Sequence, residues 1–181
     1  MSRLADIREQ DVTGKAAEIF AAIKKAMGKV PNAYLTIGSH SPAALQQALA
    51  HNAMLSKSSL NAKELEAINL AVSEATGCDY CLAAHTVLGQ KAGASAEEMA
   101  AAQLGESSDP KTRAALLFAL KVVGQRGQVS GADVQALRDA GFSDEQVVEI
   151  LAHVALNLFT NYVNLAFAVP VDFPAVKLSS G

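Results

Sequence analysis

The sequence predicts an all-α fold of about eight helices joined by short loops. Apolar residues recur at helical spacing through most of the chain. Residue patterns that cap the start of a helix precede several of these stretches. No stretch reads convincingly as a strand. The composition agrees with closely packed helices, because alanine is abundant, aromatic residues make up 5% and tryptophan is absent.

The first part of the chain is predicted to hold an arm and three helices. Residues 1–11 form the arm, and apolar residues at helical spacing predict a helix over residues 15–27. A short helix over residues 32–37 follows. Ser41-Pro42 pairs an N-cap residue with proline at the first helical position, so the third helix is expected to run to about residue 55.

Two helices are predicted over residues 61–93. The first begins at Asn61, which forms a variant capping box with Glu64. Gly77 breaks this helix, and Cys78 begins the next one. The second helix ends at a glycine C-cap at residue 93.

The remaining helices are marked by N-cap residues of the same kind. These are Ser95, Asp109, Ser130 and Ser143. Ser143 opens the longest helix, which is expected to run to about residue 168. Residues 169–174 contain two prolines and are predicted to be an extended tail laid on a surface.

The overall composition indicates a globular protein with a sizeable core. Half of the 181 residues are hydrophobic, 18% are charged, and the net charge is −3. No basic block is present, which argues against nucleic acid as the main partner. We expect a single domain over residues 1–181.

Two observations predict a cytoplasmic protein that does not cross a membrane. The start of the chain is charged and lacks the apolar stretch of a signal peptide. The longest apolar-looking region, residues 147–171, is interrupted by Glu149, His153 and three asparagines, so an ordinary membrane span is not expected. In a cytosolic protein, a C-x-x-C pair suggests redox chemistry or metal binding rather than a structural disulfide.

Both cysteines and one histidine lie within the nine residues Gly77 to His85. Only a thiolate is nucleophilic, and a free cysteine is mostly protonated at neutral pH. The second sulfur and the N-terminus of the helix both favour the thiolate. His85 lies four residues after Cys81 and seven after Cys78, so the three side chains fall near one helical face. His85 can therefore accept a thiol proton, directly or through water.

A carboxylate that orients the histidine would define the base more closely. Glu66 and Glu74 are the candidates, and each lies four residues from Leu70 on the preceding helix. Periodicity does not separate them. Tyr80, between the cysteines, either adds a hydroxyl to the proton relay or covers it.

These residues resemble a known family. Glu66, eleven intervening residues and then Cys78-x-Tyr80-Cys81-x-x-x-His85, within LAVSEATGCDYCLAAH, resemble the alkylhydroperoxidase D-like (AhpD-like) branch of the carboxymuconolactone decarboxylase family. The core motif helices span about residues 61–93. The resemblance implies an AhpD-like helical bundle with the C-x-x-C at the N-terminus of a central helix.

The resemblance also implies roles for the site residues. Cys81 would be the thiolate that attacks a hydroperoxide, and Cys78 would resolve the resulting sulfenic acid as a disulfide. Glu66 and His85 match the positions of the proton relay, and this match favours Glu66 over Glu74. Tyr80 stands where the best-known members have histidine, which leaves its part in the relay open.

The implied reaction is that of a thiol-dependent peroxidase or disulfide oxidoreductase. It needs no metal and no organic cofactor. A lipoyl-bearing or thioredoxin-like dithiol protein would reduce the disulfide. The family also implies a homo-oligomer, a trimer or a hexamer.

Three other hypotheses compete with this one. A lactone decarboxylase-like enzyme would use His85 and Glu66 as acid and base without redox chemistry. A redox-sensing binding protein would form the Cys78–Cys81 disulfide without turnover. A zinc site would use Cys78, Cys81 and His85 but lacks a fourth ligand, because no second cysteine pair exists.

The longest helix carries a stripe of polar residues on an otherwise apolar element. The stripe consists of Glu149, His153, Asn157, Thr160, Asn161 and Asn164. A solvated stripe normally carries Lys and Glu, whereas this one is uncharged after Glu149. Its residues are therefore predicted to be buried with hydrogen-bond partners, first at a subunit interface and second as the lining of an active-site pocket.

Overall fold

The computed structural model describes residues 2–5 and 7–179. These residues form nine α-helices and one short 3₁₀ turn and contain no strand, which confirms the predicted all-α fold. The elements are a 3₁₀ turn at Glu9–Asp11, α1 (Gly14–Met27), α2 (Asn32–His40), α3 (Pro42–Leu55), α4 (Ala62–Thr76), α5 (Asp79–Lys91), α6 (Ala96–Gln103), α7 (Pro110–Gly124), α8 (Gly131–Asp139) and α9 (Asp144–Phe167).

The predicted helix starts coincide with real caps. Complete capping boxes form at Asn61, Ser95, Ser130 and Ser143. In each, the cap side chain accepts from the N–H of the third helical residue, and the side chain of that residue accepts from the backbone N–H of the cap. Such a cap typically stabilises a helix by ~1 kcal/mol. These local signals explain why the helix boundaries could be predicted closely.

Helix α4 lies at the centre of the larger core. It packs against α5, α6, α7 and α9. Ile68 and Val72 are fully buried there with Leu82 of α5 and Leu116 of α7. Every element that bears a candidate catalytic residue therefore contacts this core.

Helices α1, α2 and α3 form a smaller apolar cluster. Phe20 of α1, Ile37 of α2 and Leu45 of α3 are buried in it. Gly38 allows the close approach, because a Cβ at that position would lie 2.5 Å from the Phe20 ring. This cluster brings α2 beside the start of α5.

The residues after α9 turn back over the helices and are named the C-terminal segment here, residues 169–179. Ala168 ends α9 in a left-handed conformation with φ of 50°. Asn32 of α2 donates to the Pro170 carbonyl, and Gln103 at the end of α6 donates to the Lys177 carbonyl. The segment forms no helix or strand, and after the buried Val169 it lies on the surface of the bundle, as was predicted for residues 169–174.

The N-terminal arm, predicted over residues 1–11, lies partly outside the described residues, at positions 1 and 6. The Arg3 backbone N–H donates to the Phe167 carbonyl, so the arm contacts the end of α9. Residues Glu9–Asp11 form a 3₁₀ turn. The single domain over residues 1–181 remains a prediction.

By length and composition, α9 is the one candidate membrane span in the described residues. Its asparagines 157, 161 and 164 are 4%, 0% and 5% exposed, because they pack against the other helices. Burial of polar side chains within the bundle is what a core helix of this composition requires. The polar interruptions noted in the sequence thus have partners inside the protein.

Candidate active site

The cysteine pair lies where α4 turns into α5. Gly77 adopts a left-handed conformation with φ of 71°, which ends α4 and places Cys78 at the N-cap of α5. The Cys81 backbone N–H donates to Cys78 Sγ over 3.3 Å. Both cysteines are reduced and buried.

The two thiols share a hydrogen bond that separates their pKa values. The bond from Cys81, together with the Cys81 backbone N–H, holds the pKa of Cys78 below its usual range, against the effect of burial. The same bond, followed by burial, raises the pKa of Cys81. Negative charge in the free dithiol is therefore favoured on Cys78.

His85 and Glu66 form a direct pair between α5 and α4. His85 Nδ1 lies 2.7 Å from Glu66 Oε2, and the two side chains are 18% and 17% exposed. The carboxylate therefore fixes the imidazole orientation and leaves Nε2 available for a proton from elsewhere.

Glu74, the other candidate carboxylate, has different partners. It accepts hydrogen bonds from Gln103 Nε2 at 2.7 Å and from the backbone N–H and hydroxyl of Ser179. It thus ties α4 to α6 and to the C-terminal segment. Geometry separates the two glutamates where periodicity did not.

The Tyr80 hydroxyl has two partners. It donates to Asp172 Oδ1 over 2.6 Å and accepts from the Ala33 backbone N–H over 3.1 Å. Burial, followed by the bond to Asp172, raises the pKa of Tyr80. The Phe173 ring packs edge-on against the Tyr80 ring, with centroids 5.6 Å apart. Lys29 Nζ also binds Asp172, at 2.8 Å from Oδ2. Through its bonds to Asp172 and to Ala33, Tyr80 anchors the C-terminal segment to α5 and α2.

A cavity of about 130 Å³, named the dithiol cavity, opens beside the cysteine pair. Cys81 and His85 line it, whereas Cys78 does not and is fully buried. Rings of Tyr34, Tyr80 and Phe173 make up part of its wall. A molecule in the cavity therefore contacts Cys81 and His85 together.

The polar stripe of α9 also faces this cavity. Its lining includes His153, Asn157, Thr160 and Asn164. These four residues therefore line a pocket, which was the second interpretation of the stripe, and the subunit interface stays a prediction. Helical spacing showed that the stripe is buried, but only the packing of α9 against α4 and α5 decides what covers it.

His153 is a second imidazole in the cavity. It is 8% exposed, and its Nε2 lies 3.5 Å from the Ser58 hydroxyl. Burial lowers the pKa of His153 despite the nearby Glu149 carboxylate. The ring is therefore neutral at neutral pH.

The three buried asparagines of α9 have a shared pattern. Asn157 donates to Asn69 Oδ1 at 2.7 Å, Asn161 to Thr76 Oγ1 at 2.8 Å and Asn164 to Cys81 Sγ at 3.2 Å. The carbonyl oxygen of each is buried without a protein partner. Asn164 alone among them touches a candidate reacting atom.

A second cleft, of about 210 Å³, lies on the other side of the His85–Glu66 pair. Glu66 lines it with Glu64, Glu98 and Asp109, while the sulfurs do not reach it. Within residues 2–5 and 7–179, no three His, Cys, Asp or Glu side chains are placed to hold one metal ion. The zinc hypothesis therefore finds no ligand set in that part of the chain.

Comparison with known proteins supports the sequence resemblance. Residues 42–125 match the sequence model of the carboxymuconolactone decarboxylase family. An AhpD-core, peroxidase-related protein from Ralstonia eutropha JMP134 is 27% identical, with 94% of this chain and 92% of that chain covered and a TM-score of 0.85. A peroxidase-related protein from Silicibacter sp. TM1040 is 25% identical, with 93% and 91% covered and a TM-score of 0.82.

A third similar structure shares the fold at lower identity. It is the debrominase Bmp8 in complex with 2,3,4-tribromopyrrole, 21% identical, with 95% of this chain and 94% of that chain covered and a TM-score of 0.79. Among curated protein sequences, none matches this chain. The match over residues 42–125 agrees with the predicted family resemblance, and the AhpD-like fold is confirmed.

Proposed function

Since residues 42–125 match the carboxymuconolactone decarboxylase family and the chain has an AhpD-like fold, we propose that it is a thiol-dependent peroxidase. It reduces hydroperoxides through a Cys78–Cys81 dithiol/disulfide cycle. The observation that supports this most is the shared cavity: Cys81 faces it beside His85, and His85 is held by Glu66.

Access favours Cys81 as the attacking sulfur. The hydrogen-bond pattern instead favours negative charge on Cys78 in the free dithiol. Access decides between the two sulfurs, because a peroxide reacts only with a sulfur that it can reach. The proton on Cys81 can pass to the Cys78 thiolate along their shared hydrogen bond, which leaves the charge on the cavity side.

The first step consumes one peroxide. His85 takes one proton from the dithiol and holds it beside the Glu66 carboxylate. The Cys81 thiolate attacks the terminal oxygen of ROOH, the O–O bond breaks, and the RO⁻ leaving group takes the proton from His85. Cys81 becomes a sulfenic acid and the peroxide becomes an alcohol.

The second step forms the disulfide. The Cys78 sulfur attacks the Cys81 sulfenic acid, and its proton leaves with the hydroxyl group as water. Overall, two thiols and ROOH give one disulfide, ROH and H₂O. An external dithiol, on a lipoyl-bearing or thioredoxin-like protein, then reduces the disulfide by exchange. The cycle uses no metal and no organic cofactor.

The size of the cavity favours compact substrates. An apolar cavity of ~150 Å³ binds benzene, and the dithiol cavity is of similar volume, about 130 Å³. We therefore propose small alkyl hydroperoxides as the substrate class.

Partners follow from the same proposal. An apolar stripe on the solvent side of α9 fits a second copy of this chain, in line with a trimer or a hexamer in the cytoplasm. Its exposed members are Val148, Leu151, Phe159, Tyr162 and Leu165. Light scattering after chromatography should show an oligomer that Leu151→Glu dissociates, while Leu104→Glu, at another exposed leucine, keeps the mass unchanged. A monomeric wild-type protein would refute the proposed oligomer.

The deciding experiment for the reaction follows peroxide consumption with dihydrolipoamide as reductant. Wild type should turn over repeatedly, and Cys81→Ser should lose turnover while its helical circular dichroism is retained. Consumption of a single equivalent by wild type would instead identify a redox sensor. Unchanged turnover of a lactone substrate with serine at both cysteines would identify a decarboxylase-like enzyme.

A second candidate reaction is reductive dehalogenation of a small arene. The ring-lined cavity of benzene-like size favours it. Two thiols and an aryl bromide would give a disulfide, the arene and HBr. Bromide release from a bromopyrrole without peroxide consumption would support this reaction over the first.

A further inference from the structure

We propose that Asn164 is a further catalytic residue, whose side-chain amide donates to Cys81 Sγ and draws the shared negative charge of the dithiol onto the sulfur that faces the cavity. This inference rests on the proposed attack by Cys81. It deepens that function because it assigns a residue of α9, outside the residues that match the family, to the reacting atom.

The contact is direct and sheltered. Asn164 Nδ2 lies 3.2 Å from Cys81 Sγ across the interface of α9 and α5, and Asn164 is 5% exposed. A hydrogen bond to a charged acceptor is stronger than one to a neutral acceptor, and the difference grows where water is excluded. The amide therefore stabilises a Cys81 thiolate more than a Cys81 thiol.

Cys81 needs such a donor because Cys78 has donors of its own. Cys78 Sγ accepts from the Cys81 backbone N–H and from the Cys81 thiol, and the Asn164 amide lowers the pKa of Cys78 less than either of them. The Thr160 hydroxyl also lowers the pKa of Cys81, after Asn164, but its single proton has a nearer partner in the Asn157 backbone carbonyl at 2.9 Å. Asn164 is the donor that the helix scaffold directs at Cys81.

The proton balance of this charge shift is simple. The proton of Cys81 moves along the hydrogen bond between the sulfurs to Cys78, no proton leaves the pair, and the thiolate is now on Cys81. The Cys78 thiol then holds the proton that leaves with the hydroxyl group as water when the disulfide forms.

Other titratable groups surround the pair and stay in place when Asn164 is replaced. Cys78 is the N-cap of α5, and Asp79, Tyr80 and His85 lie on that helix. Glu66 of α4 binds His85, and Asp172 of the C-terminal segment binds Tyr80. Tyr34 of α2 and His153 of α9 line the cavity. A change in Cys81 titration that follows removal of the Asn164 amide is therefore attributable to that amide.

The chain supplies a matched control one turn away. Asn161 lies on the same helix, is fully buried, and also leaves its carbonyl oxygen without a partner. Its amide donates to Thr76 Oγ1 rather than to sulfur. Replacing either asparagine by alanine removes the same atoms from the same environment, but only one replacement removes a donor to Cys81.

The experiment measures the rate of iodoacetamide alkylation at Cys81 from pH 5.5 to 10, with the site resolved by mass spectrometry. Asn164→Ala should raise the Cys81 thiol pKa by about one unit, which is about a tenfold lower rate at pH 7. Because the pKa of Cys81 is raised, the loss of rate should be seen at every pH at which Cys81 is mainly a thiol. Asn161→Ala should titrate like wild type.

Several results would overturn the proposal. They are a Cys81 alkylation rate at pH 7 that is unchanged or higher in Asn164→Ala, or an equal loss of rate in Asn161→Ala. The alkylation assay contains no peroxide. Its result therefore does not depend on the peroxidase assay, and failure of the proposed function can be told apart from failure of this inference.

If Asn164→Ala does not fold, the wild-type protein still decides the question. The side-chain ¹⁵N signal of Asn164 should shift with the Cys81 titration and change again when the disulfide forms. A signal that stays constant through the thiol titration would refute the contact as a functional one.

Discussion

The dithiol cavity is built from two regions that differ in kind. Residues 42–125, which match the family, supply the ionisable and nucleophilic groups Cys78, Cys81, His85 and Glu66. Helix α9 and the C-terminal segment supply neutral amides, a neutral imidazole and the Phe173 ring. The first region determines which reaction is possible, and the second sets the environment of the reacting sulfur and the shape of the cavity.

This division explains why family membership and substrate choice are separate questions. A C-x-x-C at a helix start with a Glu–His pair can transfer two electrons to several substrates. The wall opposite, contributed largely by α9, decides what fits beside Cys81. Substitutions in the two regions should therefore have effects of different size and type.

The largest effect is expected for Cys78→Ser in the first region. Steady-state peroxide turnover should fall to background, a loss of roughly three orders of magnitude or more, because the sulfenic acid cannot be resolved. One equivalent of peroxide should still react at Cys81, as dimedone labelling would show. Labelling at residue 78 in a Cys81→Ser variant would reverse the two roles.

Next in size is the pair Glu66→Gln and Glu74→Gln on α4. Glu66→Gln should slow peroxide reduction by roughly 100-fold, because the imidazole loses the carboxylate that orients it. Glu74→Gln should change the rate less than about twofold, since Glu74 binds Gln103 and Ser179 rather than His85. Equal losses in a stopped-flow assay would contradict the assignment of Glu66 to the relay.

A smaller effect is expected for Tyr80→Phe, where the two regions meet. The free energy of unfolding should fall by about 1–2 kcal/mol, because the hydrogen bond to Asp172 is lost. Peroxide reduction should stay near the wild-type rate, since the hydroxyl is bound to Asp172 and Ala33. A loss as large as that of Glu66→Gln would place Tyr80 in the proton relay.

The smallest effect concerns the pH dependence of stability through His153 in the second region. Burial lowers its pKa from 6.5, so below pH 6.5 the unfolded state binds more protons than the folded state. This contribution to stability is fully present above pH 6.5 and decreases as the pH falls, by at most about 1.4 kcal/mol per pH unit. Urea unfolding at pH 7.5 and 5.5 should show a smaller difference for His153→Gln than for wild type.

Much of the fold could be predicted because its signals are local. Capping residues such as Asn61 and Ser143 act on N–H groups three residues away, so they are visible in the sequence. The number of helices was predicted as about eight, and the described residues form nine. Each of the nine, including the short α2 and α8, coincides with a stretch that the sequence marks as helical.

The site could be predicted only where its residues are close in sequence. Cys78, Cys81 and His85 lie within three turns of one helix, and the family spacing pointed to Glu66. Contacts of long sequence separation were not predictable, such as Asn164 with Cys81 and Asp172 with Tyr80, because they depend on how α9 docks. The uncharged stripe on α9 did signal burial, yet nothing in its pattern identified the surface that covers it.

The contact between Asn164 and Cys81 joins residues 83 positions apart, and this separation ties chemical reactivity to the integrity of the native state. A fluctuation that lifts α9 from α5 removes the donor to sulfur and uncovers both cysteines at once. A sulfenic acid formed at that moment is open to further peroxide and to irreversible oxidation to sulfinic acid. Hydrogen-exchange protection of α9 should therefore correlate with resistance to overoxidation, and variants that weaken helix docking should inactivate under peroxide before they melt.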